Sequence, residues 1–266
     1  MIADGPSLLD SGEPAPVHTI NDVGRAPVLI VCDHASAFVP RALGDLGLPP
    51  KDFARHIAYD PGAQAVADRL ARHLDAPLVC SVFSRLIVDP NRQLDDPTLI
   101  PTVAEDTVVP GNRELGDADV ARRLNTFFHP YHAAIRAWLD ALEERGPPPV
   151  LISMHTFTPV MHGRERPWEV GVLWDKDTRL ADPFMGAMAE RGHTVGSNEP
   201  YSGRHGHGFT QNVHGDDRGL ANLLVELRQD LVWDTGGQQR LADELASVLG
   251  GLLADPSLYR RRVSSA

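Results

Sequence analysis

Short apolar runs alternate along this chain with longer stretches in which apolar residues recur at three and four. Ala26 to Cys32 is nearly continuous in Val, Leu and Ile, the pattern of a strand buried on both faces. From Asp60 to Leu74 the apolar positions are Ala63, Val66, Ala67, Leu70 and Leu74, which predicts a helix with Pro61 suited to its first turn. Strands are expected over Pro77 to Phe83 and Leu86 to Val88, followed by a proline-rich loop from Pro97 to Gly111. Asp117 is placed to cap a long helix to about Arg145, with Val120, Leu124, Phe127, Phe128, Ile135, Leu139 and Leu142 on its apolar side. Pro130 should kink or break that helix. Pro147-Pro148-Pro149 then stops the chain and launches a strand over Val150 to Met154. A strand over Trp168 to Trp174, a helix at about Asp182 to Arg191, a glycine- and histidine-rich loop from Ser197 to Gly215, a strand over Ala221 to Leu227 and a helix over Gln239 to Leu253 complete the pattern.

This alternation predicts an α/β fold: one domain over 26–258, a three-layer sandwich whose mixed, mostly parallel sheet is flanked by helices. Residues 1–25 are expected to be an irregular N-terminal segment and 259–266 a C-terminal tail. A chain of 266 residues that is 42% hydrophobic can fill such a core. The net charge of −11, from 25 basic against 36 acidic residues, argues against nucleic acid and against an anionic membrane surface as partners. Cys32 and Cys80 both fall in apolar runs, which predicts buried thiols and a reducing, cytoplasmic setting. Met1 to Asp22 lacks the basic start and apolar stretch of a signal peptide, and no run approaches the ~18 apolar residues of a membrane span. Oligomeric state has no signature in the sequence.

The chemistry gathers where apolar runs end. Asp33-His34-Ala35-Ser36, Asp89-Pro90-Asn91-Arg92 and Ser153-Met154-His155-Thr156 each close one, and Glu226 sits inside another, Leu223 to Leu227. In open α/β sheets ligands collect beyond the carboxyl ends of the strands. His34 and His155 at two such ends suit a divalent metal, most naturally zinc, which takes nitrogen and oxygen ligands and leaves a position for water. Asp60 is the candidate third ligand, with helix N-capping as its plain alternative and His56 as a substitute four residues earlier. Asp33 is better suited to orienting a neighbour. Glu226, a carboxylate in an apolar run, is the candidate general base, and pairing with Arg228 is the competing reading. Asn91 and Arg92 form a pair suited to a carboxylate, and Arg85 could steady either that carboxylate or a developing oxyanion. The loop from Asn198 to Gly215, with Tyr201, Arg204, His205, His207 and His214, reads as a lid or substrate-contacting loop. His132, beside Pro130, is expected to be structural.

Cys32-Asp33-His34-Ala35-Ser36, Ser84 through Arg92, Ser153-Met154-His155-Thr156 and Val225 through Leu231, together with His56 to Ala63 and Pro130-Tyr131-His132, resemble the N-formylglutamate amidohydrolase family from about Val28 to Leu231. A more distant resemblance is to zinc carboxypeptidases, of the phosphorylase/hydrolase-like fold, and to aspartoacylase-like enzymes. These resemblances imply metal-dependent hydrolysis of a small-molecule N-acyl amino acid such as N-formylglutamate. They imply His34 and His155 as metal ligands, Asn91 and Arg92 as carboxylate binders and Glu226 as base, with Tyr201 added as a substrate contact. Ala37 stands where those enzymes carry a glutamate three residues after the first histidine, which leaves the third ligand open. Two alternatives follow: a deacylase or carboxypeptidase-like enzyme acting on another N-acyl or peptide substrate, and a carboxylate-binding protein without catalysis.

Overall fold

The computed structural model describes residues 7–205 and 207–262. Strands β1 (Val17–Ile20), β2 (Val28–Cys32) and β3 (Leu78–Ser81) precede two hairpin strands, β4 (Val103–Ala104) and β5 (Thr107–Val108). Then come β6 (Val150–Phe157), a second small hairpin of β7 (Val160–Met161) and β8 (Arg164–Glu165), and β9 (Val170–Leu173), β10 (Val195–Ser197) and β11 (Asn222–Arg228). The main sheet has seven strands in the order β1-β3-β2-β6-β11-β9-β10. The run from β3 through β11 is parallel, while β1 joins β3 and β9 joins β11 antiparallel.

Helices cover both faces. On one, α1 (Ala63–His73), α4 (Ala181–Glu190) and α6 (Thr235–Leu252) pack Val66, Leu70, Phe184, Leu241 and Leu245 against Val28, Ile30, Ile152, Val170 and Leu223. On the other, α2 (Asp117–Arg123) leads into α3 (His129–Arg145), whose Tyr131, Ile135 and Leu139 pack on Leu29, Val31, Val79 and Leu151. The alternate residues of β2 therefore face different cores, which is why its sequence is apolar throughout instead of alternating. The three-layer α/β arrangement predicted from the sequence is the one observed.

Several local expectations are corrected. Residues 1–25 include β1, an edge strand paired with β3 from Val17↔Ser81 to Ile20↔Leu78, so this stretch is not wholly irregular. The tail after 259 is fastened: the Arg262 N–H donates to Gly219 O at 2.7 Å. Leu86 to Val88 is buried but is not a strand. Its carbonyls are met by side chains, Leu86 O by Asn112 Nδ2 at 2.7 Å and Ile87 O by Arg123 Nη1 at 3.0 Å, so no strand partner is needed.

Pro130 does not break its helix. A π-helical turn over Leu124–Phe128, closed by the His129 N–H on Leu124 O, absorbs the irregularity just before the proline, and Pro130 falls in the first turn of α3 where a missing N–H costs nothing. Asp117 is the first helical residue, with Gly116 at the cap. α6 begins earlier than its apolar periodicity suggested, because Asp234 accepts from the Gly237 N–H at 2.7 Å. β10, short and interrupted by Gly196, was not foreseen. Cys32 and Cys80 are free and buried on adjacent strands, and desolvation pushes both thiols up, Cys80 to about 12.

Candidate metal centre and substrate cavity

The carboxyl ends of β2 and β6 bring His34 and His155 together, with ring centroids 5.0 Å apart and both side chains buried. Asp60 arrives from the loop before α1. That helix starts at Ala63 with Gly62 at its cap, so the Asp60 side chain is not a helix cap. Asp60 Oδ2 lies 3.3 Å from His34 Nδ1 and 2.9 Å from His155 Nδ1. The three donor atoms sit within 4.8 Å of one another and form a group able to hold a metal ion. Tetrahedral ligands at zinc distances stand about 3.3 Å apart, close to these separations.

The far nitrogens are also engaged. His34 Nε2 meets Asp89 Oδ1 at 2.7 Å, and His155 Nε2 meets Asp33 Oδ2 at 2.9 Å. Each imidazole therefore offers Nδ1 to the common point while a carboxylate takes the proton of Nε2, the outer arrangement typical of metal-binding histidines. Arg85 donates to Asp89 Oδ2 from Nε at 3.0 Å and Nη2 at 2.7 Å, and to Asp60 Oδ1 from Nη1 at 3.4 Å.

Charge accounts for the protonation pattern. Burial opposes ionisation of Asp60, yet His34 and His155 hold it far below the carboxylate range; Asp89 is held low by Arg85 and His34 against the same desolvation. Burial by itself would lower both histidines, but Asp33 and Asp60 raise His155 well above its ordinary value, and Asp89 and Asp60 raise His34. Three carboxylates against one guanidinium leave two positive charges wanting. Two imidazolium protons or one divalent cation fill that deficit equally, so the donor set fits such an ion in charge as well as in geometry.

Glu226, in β11, is register partner of His155 in the adjacent parallel strand. It is buried, and its Oε2 has no hydrogen-bond partner among the described residues. Desolvation raises its carboxyl to about 7, a shift that His155 opposes and the Asp60 charge reinforces. It does not pair with Arg228, which turns to Asp230 at 2.7 Å. Gly171 makes room for it: a Cβ there would meet Glu199 O at 2.3 Å and Glu226 Cβ at 3.2 Å.

These groups open into a cavity of about 330 Å³ that is also lined by Asn91, Arg92, Tyr201 and His207. Arg92 donates to Thr98 Oγ1 at 3.2 Å and has no carboxylate partner among the described residues. The Tyr201 hydroxyl accepts from Arg166 Nη2 at 3.2 Å, and the guanidinium lies 4.9 Å from the Tyr201 ring centre. The eight residues given a catalytic, substrate-binding or metal role from the sequence (His34, Asp60, Arg85, Asn91, Arg92, His155, Tyr201 and Glu226) thus line one cavity.

The sequence profile of the N-formylglutamate amidohydrolase family matches residues 26–233. The chain belongs to the N-formylglutamate amidohydrolase family. As a member of it, the protein is an amidohydrolase. Among solved structures, the gene product Atu2144 of Agrobacterium tumefaciens is 36% identical, with a TM-score of 0.90 over 93% of this chain and 98% of that one. An N-formylglutamate amidohydrolase from Ralstonia eutropha JMP134 is 20% identical, with a TM-score of 0.72 over 91% of this chain and 98% of its own, a likeness of fold. No curated protein matched the chain.

Within this N-formylglutamate amidohydrolase fold, His56 lines the cavity but faces Glu105 Oε1 at 2.8 Å, outside the donor group. His132 is buried in α3, with Nε2 donating to Pro90 O at 2.9 Å and Nδ1 accepting from His214 Nε2 at 2.9 Å. His214 belongs to a π-helical turn, Asn212–Asp216, that follows α5 (Phe209–Gln211), so the second half of the expected lid is packed interior. The side chain of His205 and all of Gly206 lie outside the described residues. Asp89 lay in a segment singled out from the sequence but was given no role, and Tyr131 and Thr210 were not foreseen as parts of the site. Asp89 carried a signal in its place two residues before Asn91, whereas the hydroxyls of Tyr131 and Thr210 carried none. No helix among the described residues is long and apolar enough to cross a membrane.

Proposed function

We propose that the protein is a metal-dependent amidohydrolase that cleaves the linear amide of an N-acyl amino acid, N-formylglutamate to formate and glutamate being the family's reaction. The observation that carries this reading is the convergence of His34 Nδ1, His155 Nδ1 and Asp60 Oδ2 beside a buried Glu226 whose Oε2 has no hydrogen-bond partner among the described residues. Nitrogen and oxygen donors in this number favour zinc. A divalent ion in that position supplies Lewis acidity, which polarises the acyl carbonyl and makes water a competent nucleophile near neutral pH.

The chain's own residues do the rest. Glu226 Oε2 takes the proton of the attacking water and returns it to the departing nitrogen, a task suited to a carboxyl raised to about 7 by burial. Arg85 uses three of the five N–H groups of a guanidinium on Asp89 and Asp60 and offers the others to the developing oxyanion. Asn91 and Arg92 receive the substrate carboxylate, and Tyr201, which lines the same cavity, contacts the acyl amino acid.

The test is metal content measured beside formate release from N-formylglutamate on the same preparation. About one zinc per chain with formate release is expected. Metal without formate release would redirect the substrate to another acyl group, and a metal-free, inactive protein that zinc does not rescue would favour the carboxylate-binding alternative.

A further inference from the structure

Asp33 is fully buried and does not line the cavity, yet it collects hydrogen bonds from three separate parts of the fold. Its Oδ2 receives the His155 Nε2 proton at 2.9 Å, from β6. Its Oδ1 accepts from the Tyr131 hydroxyl of α3 at 2.9 Å and from Thr210 Oγ1 of α5 at 2.7 Å. Tyr131 and Thr210 are themselves fully buried. Thr210 makes a second connection: its backbone N–H donates to Asn91 Oδ1 at 3.1 Å.

We propose that Thr210 and Asp33 are positioning residues, which fix the metal-binding ring of His155 and the carboxylate-binding amide of Asn91 in one common geometry. This rests on His155 being a ligand. For Nδ1 to bind a metal, the neutral ring must carry its proton on Nε2, and Asp33 Oδ2 is the acceptor that selects this tautomer. An aspartate can rotate about its side chain. The two hydroxyls on Oδ1 hold its plane, and a carboxylate in a dry site needs such donors in place of water. On the substrate side, the Thr210 N–H takes up Asn91 Oδ1 and thereby turns the Asn91 Nδ2 group outward as the donor for a carboxylate. The short helix α5 thus connects the catalytic and recognition halves of the cavity without touching either the metal position or the substrate.

The experiment is zinc affinity by competition with a chromophoric chelator, on the full-length protein and on Thr210→Val, Thr210→Ser and Asp33→Asn. The variants' folding is followed by circular dichroism. Loss of an outer partner of a ligating histidine weakens metal binding by roughly 10- to 100-fold. Thr210→Val should fall toward the lower end of that range, Asp33→Asn toward the upper, and Thr210→Ser, which keeps the hydroxyl, should bind zinc within about 2-fold of the parent. A Thr210→Val protein that binds zinc like the parent would overturn the proposal, as would a Thr210→Ser protein as weak as the valine variant. Should the valine variant fail to fold, Tyr131→Phe removes the other hydroxyl from the same oxygen and is read by the same criteria. A parent protein that binds no zinc would overturn the metal centre itself, whereas zinc binding unchanged across the series would overturn only the positioning role.

Discussion

Glu226 and His155 stand side by side in register on β11 and β6, so the proposed base and one proposed metal ligand are placed by the same hydrogen-bonded ladder. Their spacing depends on sheet pairing and not on a loop. Glu226→Gln keeps the shape and removes the proton acceptor, so zinc content should stay at the parental level while kcat falls roughly 10²- to 10⁴-fold. Metal analysis and steady-state kinetics on one preparation check this, and near-parental turnover would remove Glu226 as the base.

Gly171 faces Glu226 from the neighbouring strand β9. An added Cβ would press on the Glu199 carbonyl at 2.3 Å, which is backbone and yields only if the 199–200 segment moves. Gly171→Ala should cost about 1 to 3 kcal/mol of stability and lower kcat, measured by denaturant unfolding and kinetics. An alanine variant with parental stability would mean that the segment shifts freely.

Arg92 is the cavity's guanidinium without a carboxylate partner among the described residues. Arg92→Ala should raise KM for carboxylate-bearing substrates about 10- to 100-fold, the equivalent of roughly 1.5 to 3 kcal/mol for a hydrogen bond to a charged group. The same substitution should leave KM for the corresponding carboxamide nearly unchanged. Equal effects on acid and amide would sink the carboxylate role.

Asp60 and Asp89 raise His34, and Asp33 and Asp60 raise His155, so a metal binding through these rings competes with protons. Both histidines are raised above their ordinary value, so zinc binding should release protons and strengthen as pH rises. Calorimetry in buffers of different ionisation enthalpy counts those protons. Binding without proton release would contradict the charge exchange.

His132 and His214 have the opposite behaviour. Burial pushes His132 down to about 4 and His214 down to about 3, so both are neutral in the folded protein where the unfolded chain is already protonated. With folded pKa values below the unfolded 6.5, the unfolded state binds more protons between pH 6.5 and about 4. The contribution of these two histidines should therefore be full above pH 6.5 and decline as pH falls through that window, by on the order of 3 kcal/mol for His132 alone, while Glu226, raised to about 7, contributes in the opposite sense over the same range. The difference in unfolding free energy between the parent and His214→Phe, followed against pH, isolates the histidine part; a difference that does not change over that range would count against neutral burial.

The sheet was legible where apolar runs were long and bounded by polar residues, as at Val28–Cys32, Val150–Phe157 and Asn222–Arg228. Their ends displayed His34, His155 and Glu226, so much of the site could be read as well. Leu86 to Val88 misled because three buried apolar residues look the same whether their carbonyls meet a strand or the side chains of Asn112 and Arg123. β1 escaped notice because His18 and Thr19 give an edge strand no apolar signature. Tyr131 and Thr210 were invisible for a different reason. They act on Asp33 across 98 and 177 residues of sequence, and a single buried hydroxyl has no periodicity to betray it.

The strands β2, β6 and β11, neighbours in the sheet, also set the order in which the candidate site is synthesised. His34 and Asp60 emerge early in synthesis, but the donor set is incomplete until His155 is made, and Glu226 follows 71 residues later as the register partner of His155. A growing chain thus carries all three donors of the proposed metal site before it carries the proposed base. The proposed hydrolytic site is complete only with β11, the strand that joins β6 to β9 in the middle of the sheet.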